Sequence, residues 1–135
     1  MSLKIYGKKG KPVKTSESYN TTTILQTFIK RDGQDYRELL ATGKWNKIVF
    51  CLMKDSCIRK RFEAKSNKGG SDIIKELLLD NAFIDLKADQ DYYILNKDVG
   101  LHSPSAAANL VHGNDRNGQD CWEHEGKTLN ELNRD

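Results

Sequence analysis

The stretch SPSAAANLVHG, residues 103–113, constrains this chain more than any other. Ser103 is a natural helix N-cap, because its hydroxyl accepts a backbone N–H that the first turn leaves unpaired. Pro104 suits the first helical position, where its missing N–H costs nothing and its ring pre-sets φ. Ala106, Ala107 and Ala108 favour helix and carry almost no bulk. Leu110 and Val111 add an apolar side, and Gly113 ends the element, which is therefore expected over 103–112. Three consecutive alanines let a backbone, a sheet face or a ligand come close; tight helix-on-sheet packing accounts for at least two of them. The helix start also directs free N–H groups outward with partial positive charge, a setting that suits a phosphate, and Ser103 and Ser105 can add hydroxyls to the same oxygens.

Turn chemistry follows in GNDRNGQDCW. Asn117-Gly118 favours a type I′ turn between antiparallel strands. Trp122 then serves either as a plug over the small-residue helix or as a ring on which a base stacks, the core role being the commoner for such a residue. GKTLNEL (126–132) opens a last helix, with Thr128 and Glu131 spaced as a capping box.

Elsewhere short elements alternate. Residues 1–20 are rich in Lys, Gly and Ser and read as a flexible basic arm with a short edge strand at LKIY. TTTILQTFIK (21–30) is rich in β-branched residues and reads as a strand. In DGQDYRELLATGK, Asp35 and Glu38 are spaced as a capping box and Gly43 as a left-handed stop, so a helix is expected there. NKIVFCLMK (46–54) is an apolar run of strand length, and SCIRKRFEAKS (56–66) reads as its hairpin partner with a basic face. Ser71 or Asp72 caps a helix carrying Ile73, Ile74, Leu77 and Leu78, with Asn81 as its stop. AFIDLK and YYILNK form a second hairpin around residues 88–91. Together these give a small single α+β domain over 21–135, an antiparallel sheet of hairpins packed with short helices, preceded by the arm at 1–20.

The net charge of +3 hides an uneven distribution. Residues 1–70 carry sixteen Lys or Arg against six Asp or Glu, and residues 71–135 carry six against thirteen. A basic half suggests a polyanion partner, and nucleic acid is the usual one, although Lys-rich surfaces also serve solubility alone. No apolar run is long enough to span a membrane, and the basic start has no apolar core behind it, so neither a span nor a secretory signal is expected. Three cysteines, Cys51, Cys57 and Cys121, without framework spacing suggest free thiols and a cytoplasmic setting. His102, His112, Cys121 and His124 fall in one segment but lack the tight paired spacing of a zinc site, so no metal and no cofactor is expected.

From residue 103 to residue 132 the chain resembles the C-terminal part of RAMA-like domains, and a related domain of unknown function often appended to GIY-YIG nucleases. The pattern is Ser-Pro-Ser, an Ala-rich helix, Asn-Gly, a Trp and Gly-Lys-Thr-Leu. Here these are Ser103, Pro104, Ser105, Ala106 to Ala108, Asn117, Gly118, Trp122, Gly126, Lys127, Thr128 and Leu129. The likeness is most specific over 100–132, extends more thinly over about 48–99, and does not reach residues 1–45. It implies a DNA-binding domain, of plain or modified DNA, that accompanies restriction endonucleases and methyltransferases and has no catalysis of its own. Gln119 and Asp120 depart from the pattern by setting Trp122 further along. No Gly-Ile-Tyr and Tyr-Ile-Gly pair is present.

Phosphate-binding loops, nucleophile elbows and zinc-protease motifs are absent from the sequence. Asp85-Leu86-Lys87, with Asp72 or Asp80 upstream, has the outline of a Mg²⁺ nuclease triad but is a common tripeptide. The expected function is therefore non-catalytic DNA binding in a restriction–modification setting. Lys54, Arg59, Lys60 and Arg61 would meet phosphates together with the arm, Ser103 and Ser105 would fix one phosphate, and Trp122 would offer a stacking ring. Asn114, Arg116 and Asn117 would contact bases. Four neutralised phosphates would give a slope of log affinity on log salt near about −3.6. The alternatives are a protein–protein adaptor for a nuclease or methyltransferase and, more remotely, a Mg²⁺-dependent nuclease.

Overall fold

The computed structural model describes residues 3–6, 12–16, 23–60, 70–84, 91–114 and 116–133. Two sheets and four short helices make an α+β domain. The larger sheet holds β1 (Leu3–Tyr6), β2 (Pro12–Ser16), β3 (Leu25–Ile29), β4 (Glu38–Trp45), β5 (Phe50–Leu52), β9 (Val99–Leu101), β10 (Glu123–His124) and β11 (Lys127–Thr128). Their order across it is β11-β10-β3-β4-β5-β9-β1-β2. Neighbours run antiparallel except β1 and β9, which are parallel. The smaller sheet is β6 (Cys57–Arg59), β8 (Tyr92–Leu95) and β7 (Phe83–Ile84), in that order. The helices are α1 (Gly70–Leu79), α2 (Pro104–His112), α3 (Gly118–Cys121) and α4 (Leu129–Leu132).

Helix α2 is built as its sequence dictates. The Ser103 hydroxyl accepts from Ala106 N at 3.0 Å, Pro104 occupies the first turn, and Gly113 closes the helix at φ 76°. Ala107, Ala108, Leu110 and Val111 are fully buried, and α2 touches β4, β5 and β9 of the large sheet, β6 of the small one, and α1. The small alanines therefore serve close packing between two sheets. Helix α1 buries Ile73, Ile74 and Leu77, and Asn81 follows it at φ 54°. The capping box at Thr128 and Glu131 is formed as its spacing predicts.

Three expectations are corrected. Residues 38–45 are strand, not helix: β4 lies between β3 and β5 and pairs with both, and this two-sided ladder outweighs the weak local capping signal at Asp35 and Glu38. Gly43 is accordingly not a helix stop. A Cβ there would stand 2.6 Å from Phe50 Cζ, so its bare backbone makes room for the Phe50 ring, which packs on Trp122 with centroids 4.5 Å apart.

The second correction concerns 46–66, where β5 and β6 do not form a hairpin with each other. Ser56, 2% exposed, accepts from Thr42 N and donates to Thr42 O, and the chain then leaves the large sheet so that β6 pairs with β8. The hairpin expected of 82–97 is present as β7 and β8.

The third concerns the basic arm. Residues 3–6 and 12–16 are strands of the large sheet, with Ile5 and Tyr6 buried. β1 lies inside that sheet rather than at its edge, and docks because Gly100 has no side chain: a Cβ there would meet Ile5 Cγ1 at 2.9 Å. The Tyr6 hydroxyl donates to the Asp80 carboxylate at the end of α1, and Lys4 Nζ bonds the same oxygen at 2.7 Å. Burial and the neighbouring carboxylate raise the Tyr6 phenol above its usual range, while the two bonds from Lys4 and Tyr6 lower that of Asp80.

Candidate nucleic-acid interface

Among the described residues, the basic and acidic halves of the sequence are interleaved. β9, from the C-terminal half, is inserted between β5 and β1, and charges from the two halves meet. Arg37 holds Glu123 through two bonds, of 2.6 and 3.2 Å, while lying 4.3 Å from the centre of the Phe28 ring. Lys4 likewise holds Asp80 at 2.7 Å. The positive charge of residues 1–70 is therefore partly neutralised by carboxylates from residues 71–135.

Two expected contacts are corrected by packing at the start of α2. The Ser103 hydroxyl is occupied as a cap, and the Ser105 hydroxyl accepts from Gly118 N at 2.9 Å. Gly118 lies directly on the first turn: a Cβ there would be 2.7 Å from the Pro104 carbonyl oxygen and closer still to Pro104 C and Ser105 N. The helix mouth is thus sealed by protein backbone, and Ser103 and Ser105 do not form a phosphate site. Trp122 is 0% exposed, and its indole N–H donates to the Pro104 carbonyl at 2.9 Å. It is a core plug and presents no ring for base stacking.

Asn117-Gly118 is not a type I′ turn. Asn117 has φ −82°, and its side chain caps α3 by accepting from Gln119 N at 2.9 Å. Asn114 accepts from Arg116 Nε at 2.8 Å, and Arg116 N donates to Asn109 at 2.6 Å. The Asn114 and Asn117 side-chain oxygens thus hold the loop in shape.

The small sheet gathers the remaining expected residues. The guanidinium of Arg59 lies 5.5 Å from the centre of the Tyr92 ring and donates to its hydroxyl at 3.4 Å. Next to it, Lys60 Nζ lies 5.1 Å from the centre of the Tyr93 ring. Tyr93 stacks on Phe83 with centroids 4.6 Å apart and planes within 7°. Lys54 is exposed on the turn that leads into β6. Arg61 and the Asp85–Lys87 tripeptide lie outside the described residues. Tyr92, Tyr93 and Phe83 were not singled out in the sequence. Their signal was the aromatic content of YYILNK and AFIDLK, facing a strand that ends in Arg-Lys.

The described histidines and cysteines away from this sheet include several in structural positions. His112, 9% exposed, shares a 2.9 Å bond between Nε2 and the Thr27 hydroxyl, and burial followed by the nearby Arg116 charge lowers its pKa to about 4. His124 Nδ1 bonds the Ile24 carbonyl at 2.8 Å. Burial pushes the Cys51 thiol up to about 12 and raises that of Cys121. Among the described residues no group of three His, Cys, Asp or Glu is placed to hold a metal ion, and no helix is long and apolar enough to cross a membrane.

A family model for a domain of unknown function, DUF4357, matches residues 33–133. The chain belongs to the DUF4357 family. The match takes in β4 to α4, hence α2, the small sheet and the sealing loop, while β1, β2 and β3 precede it. The chain matches no curated protein and no solved structure.

Proposed function

We propose that this domain binds DNA without chemistry of its own, using the small sheet and the turn that leads into it. Lys54, Arg59 and Lys60 meet phosphates there. The observation that carries the reading is the placing of three cations, Lys54, Arg59 and Lys60, on the turn into β6 and at its end. Clustered cations suit a polyanion such as a nucleic-acid backbone. The resemblance to RAMA-like domains, and to the domain found beside GIY-YIG nucleases, supports a place alongside a restriction endonuclease or methyltransferase.

Binding of labelled DNA followed by anisotropy across a salt series tests this. Three neutralised phosphates on a duplex give a slope of log affinity on log salt near about −2.7, shallower than four would give. Replacing Arg59 and Lys60 together by Gln brings the slope to about −0.9. Affinity that ignores both salt and the double substitution refutes the proposal. Paired plain and adenine-methylated duplexes show whether a modification is read.

A second reading, docking on a nuclease or methyltransferase partner, is favoured by the neighbouring Leu78 and Leu79 of α1, 43% and 75% exposed. Absence of DNA binding, with stable association to such an enzyme that is lost in Leu79→Ser, would favour it.

A further inference from the structure

We infer that Asn117 is a site of covalent modification, where the asparagine converts to aspartate and isoaspartate, and that the start of α2 controls the rate. Asn117-Gly118 is the one Asn-Gly pair in the sequence. The reaction requires only water. The Gly118 backbone nitrogen attacks the Asn117 Cγ and loses its proton, and ammonia leaves as a succinimide ring closes. Water then opens the ring at either carbonyl. One opening gives aspartate; the other gives isoaspartate, with the main chain rerouted through the side chain. Glycine is the favourable second residue, because no Cβ obstructs the attacking nitrogen.

In the folded chain both reacting groups are held. Asn117 is exposed to water, but Gly118 is buried. Gly118 N donates to the Ser105 hydroxyl at 2.9 Å, and Asn117 Oδ1 accepts from Gln119 N at 2.9 Å. The Asn117 carbonyl also accepts from Asp120 N and Cys121 N, each at 3.1 Å. The succinimide nitrogen carries no hydrogen, so ring closure necessarily removes the bond to Ser105. Closure therefore proceeds through local opening, and its rate reports how often α3 lifts from the first turn of α2. Isoaspartate then adds a methylene to the main chain beside Gly118, where even a Cβ would stand 2.7 Å from the Pro104 carbonyl oxygen. That product has no room to reseat, so its formation leaves the start of α2 uncovered.

The test incubates the full chain at neutral pH for several days and follows residue 117 by peptide mass mapping, with chromatography separating aspartate from isoaspartate. Folded protein is expected to convert at least roughly thirtyfold more slowly than the same chain unfolded in urea. Ser105→Ala removes the acceptor and is expected to speed conversion of the folded chain about fivefold, the factor that one ordinary hydrogen bond supplies. The isoaspartate form, once separated, is expected to exchange its Trp122 indole proton faster than the unreacted chain. The comparison of folded with unfolded wild type needs no substitution and so stands even if Ser105→Ala fails to fold. Conversion as fast in the folded chain as in urea overturns the control by α2, as does an unchanged rate in folded Ser105→Ala. No conversion of residue 117 in either state, or faster conversion at another asparagine, overturns the assignment of the site.

Discussion

Gly118→Ala tests the most tightly built part of the molecule. Gly118 opens α3, where alanine is intrinsically preferred over glycine by up to about 1 kcal/mol, so local propensity alone predicts stabilisation. The tertiary contact predicts the reverse. The added Cβ falls 2.7 Å from the Pro104 carbonyl oxygen and nearer still to the Pro104 and Ser105 backbone, all held inside the first turn of a buried helix. Neither partner is a flexible side-chain tip, so α3 must move away. That shift breaks the Gly118 N–Ser105 hydroxyl bond, a loss of about 1 kcal/mol. It also draws on the buried bond from the Trp122 indole to Pro104, whose loss leaves a desolvated donor at a cost of about 1–3 kcal/mol. After the propensity gain is set against these, the net destabilisation is about 1–3 kcal/mol. Urea unfolding followed by tryptophan fluorescence measures it. A stability unchanged within about 0.5 kcal/mol would show that the loop is not seated on the helix start and would reopen the mouth of α2 to a ligand.

Two further outcomes follow from the side chains of His112 and Asp80. His112 has its folded pKa lowered from its usual 6.5 to about 4, so the unfolded chain takes up a proton that the folded one refuses. Its contribution is therefore complete above about pH 6.5 and is lost as pH falls from there towards 4, up to about 3 kcal/mol in all; His112→Gln should flatten thermal stability across that window, and an unchanged pH profile would count against the buried neutral imidazole. Asp80→Asn removes the charge that receives Lys4 and Tyr6, so backbone amides of Ile5 and Tyr6 should exchange with solvent faster while those of Phe50 and Leu101 stay protected. Equal protection of β1 in both proteins would show that pairing with β9 alone holds it.

Local chemistry was sufficient where the deciding atoms lie within a few residues of one another. Ser103, Pro104 and Gly113 delimit α2, Thr128 and Glu131 start α4, and the apolar interval of Ile73, Ile74 and Leu77 places the buried side of α1. Each of these is an interaction between neighbours in sequence, and so survives in the fold. The α+β class was legible for the same reason, since it depends on the kinds of elements and not on their order in space.

Tertiary structure decided whatever depends on distant partners. Residues 38–45 became strand because β3 and β5 both pair with them, and Ser56 sent β6 to a second sheet by bonding Thr42. Gly118, legible only as turn chemistry, is glycine because the start of α2 lies against it, and that contact removed the expected phosphate site at Ser103 and Ser105. The contacts of Lys60 with Tyr93 and of Tyr93 with Phe83 join residues far apart in sequence, so the aromatic content of YYILNK and AFIDLK hinted at them but could not place them. A capping residue acts across one turn of chain, whereas a pairing register, a sealed helix mouth or a charge neutralised by a carboxylate eighty residues away exists only once the chain has closed on itself.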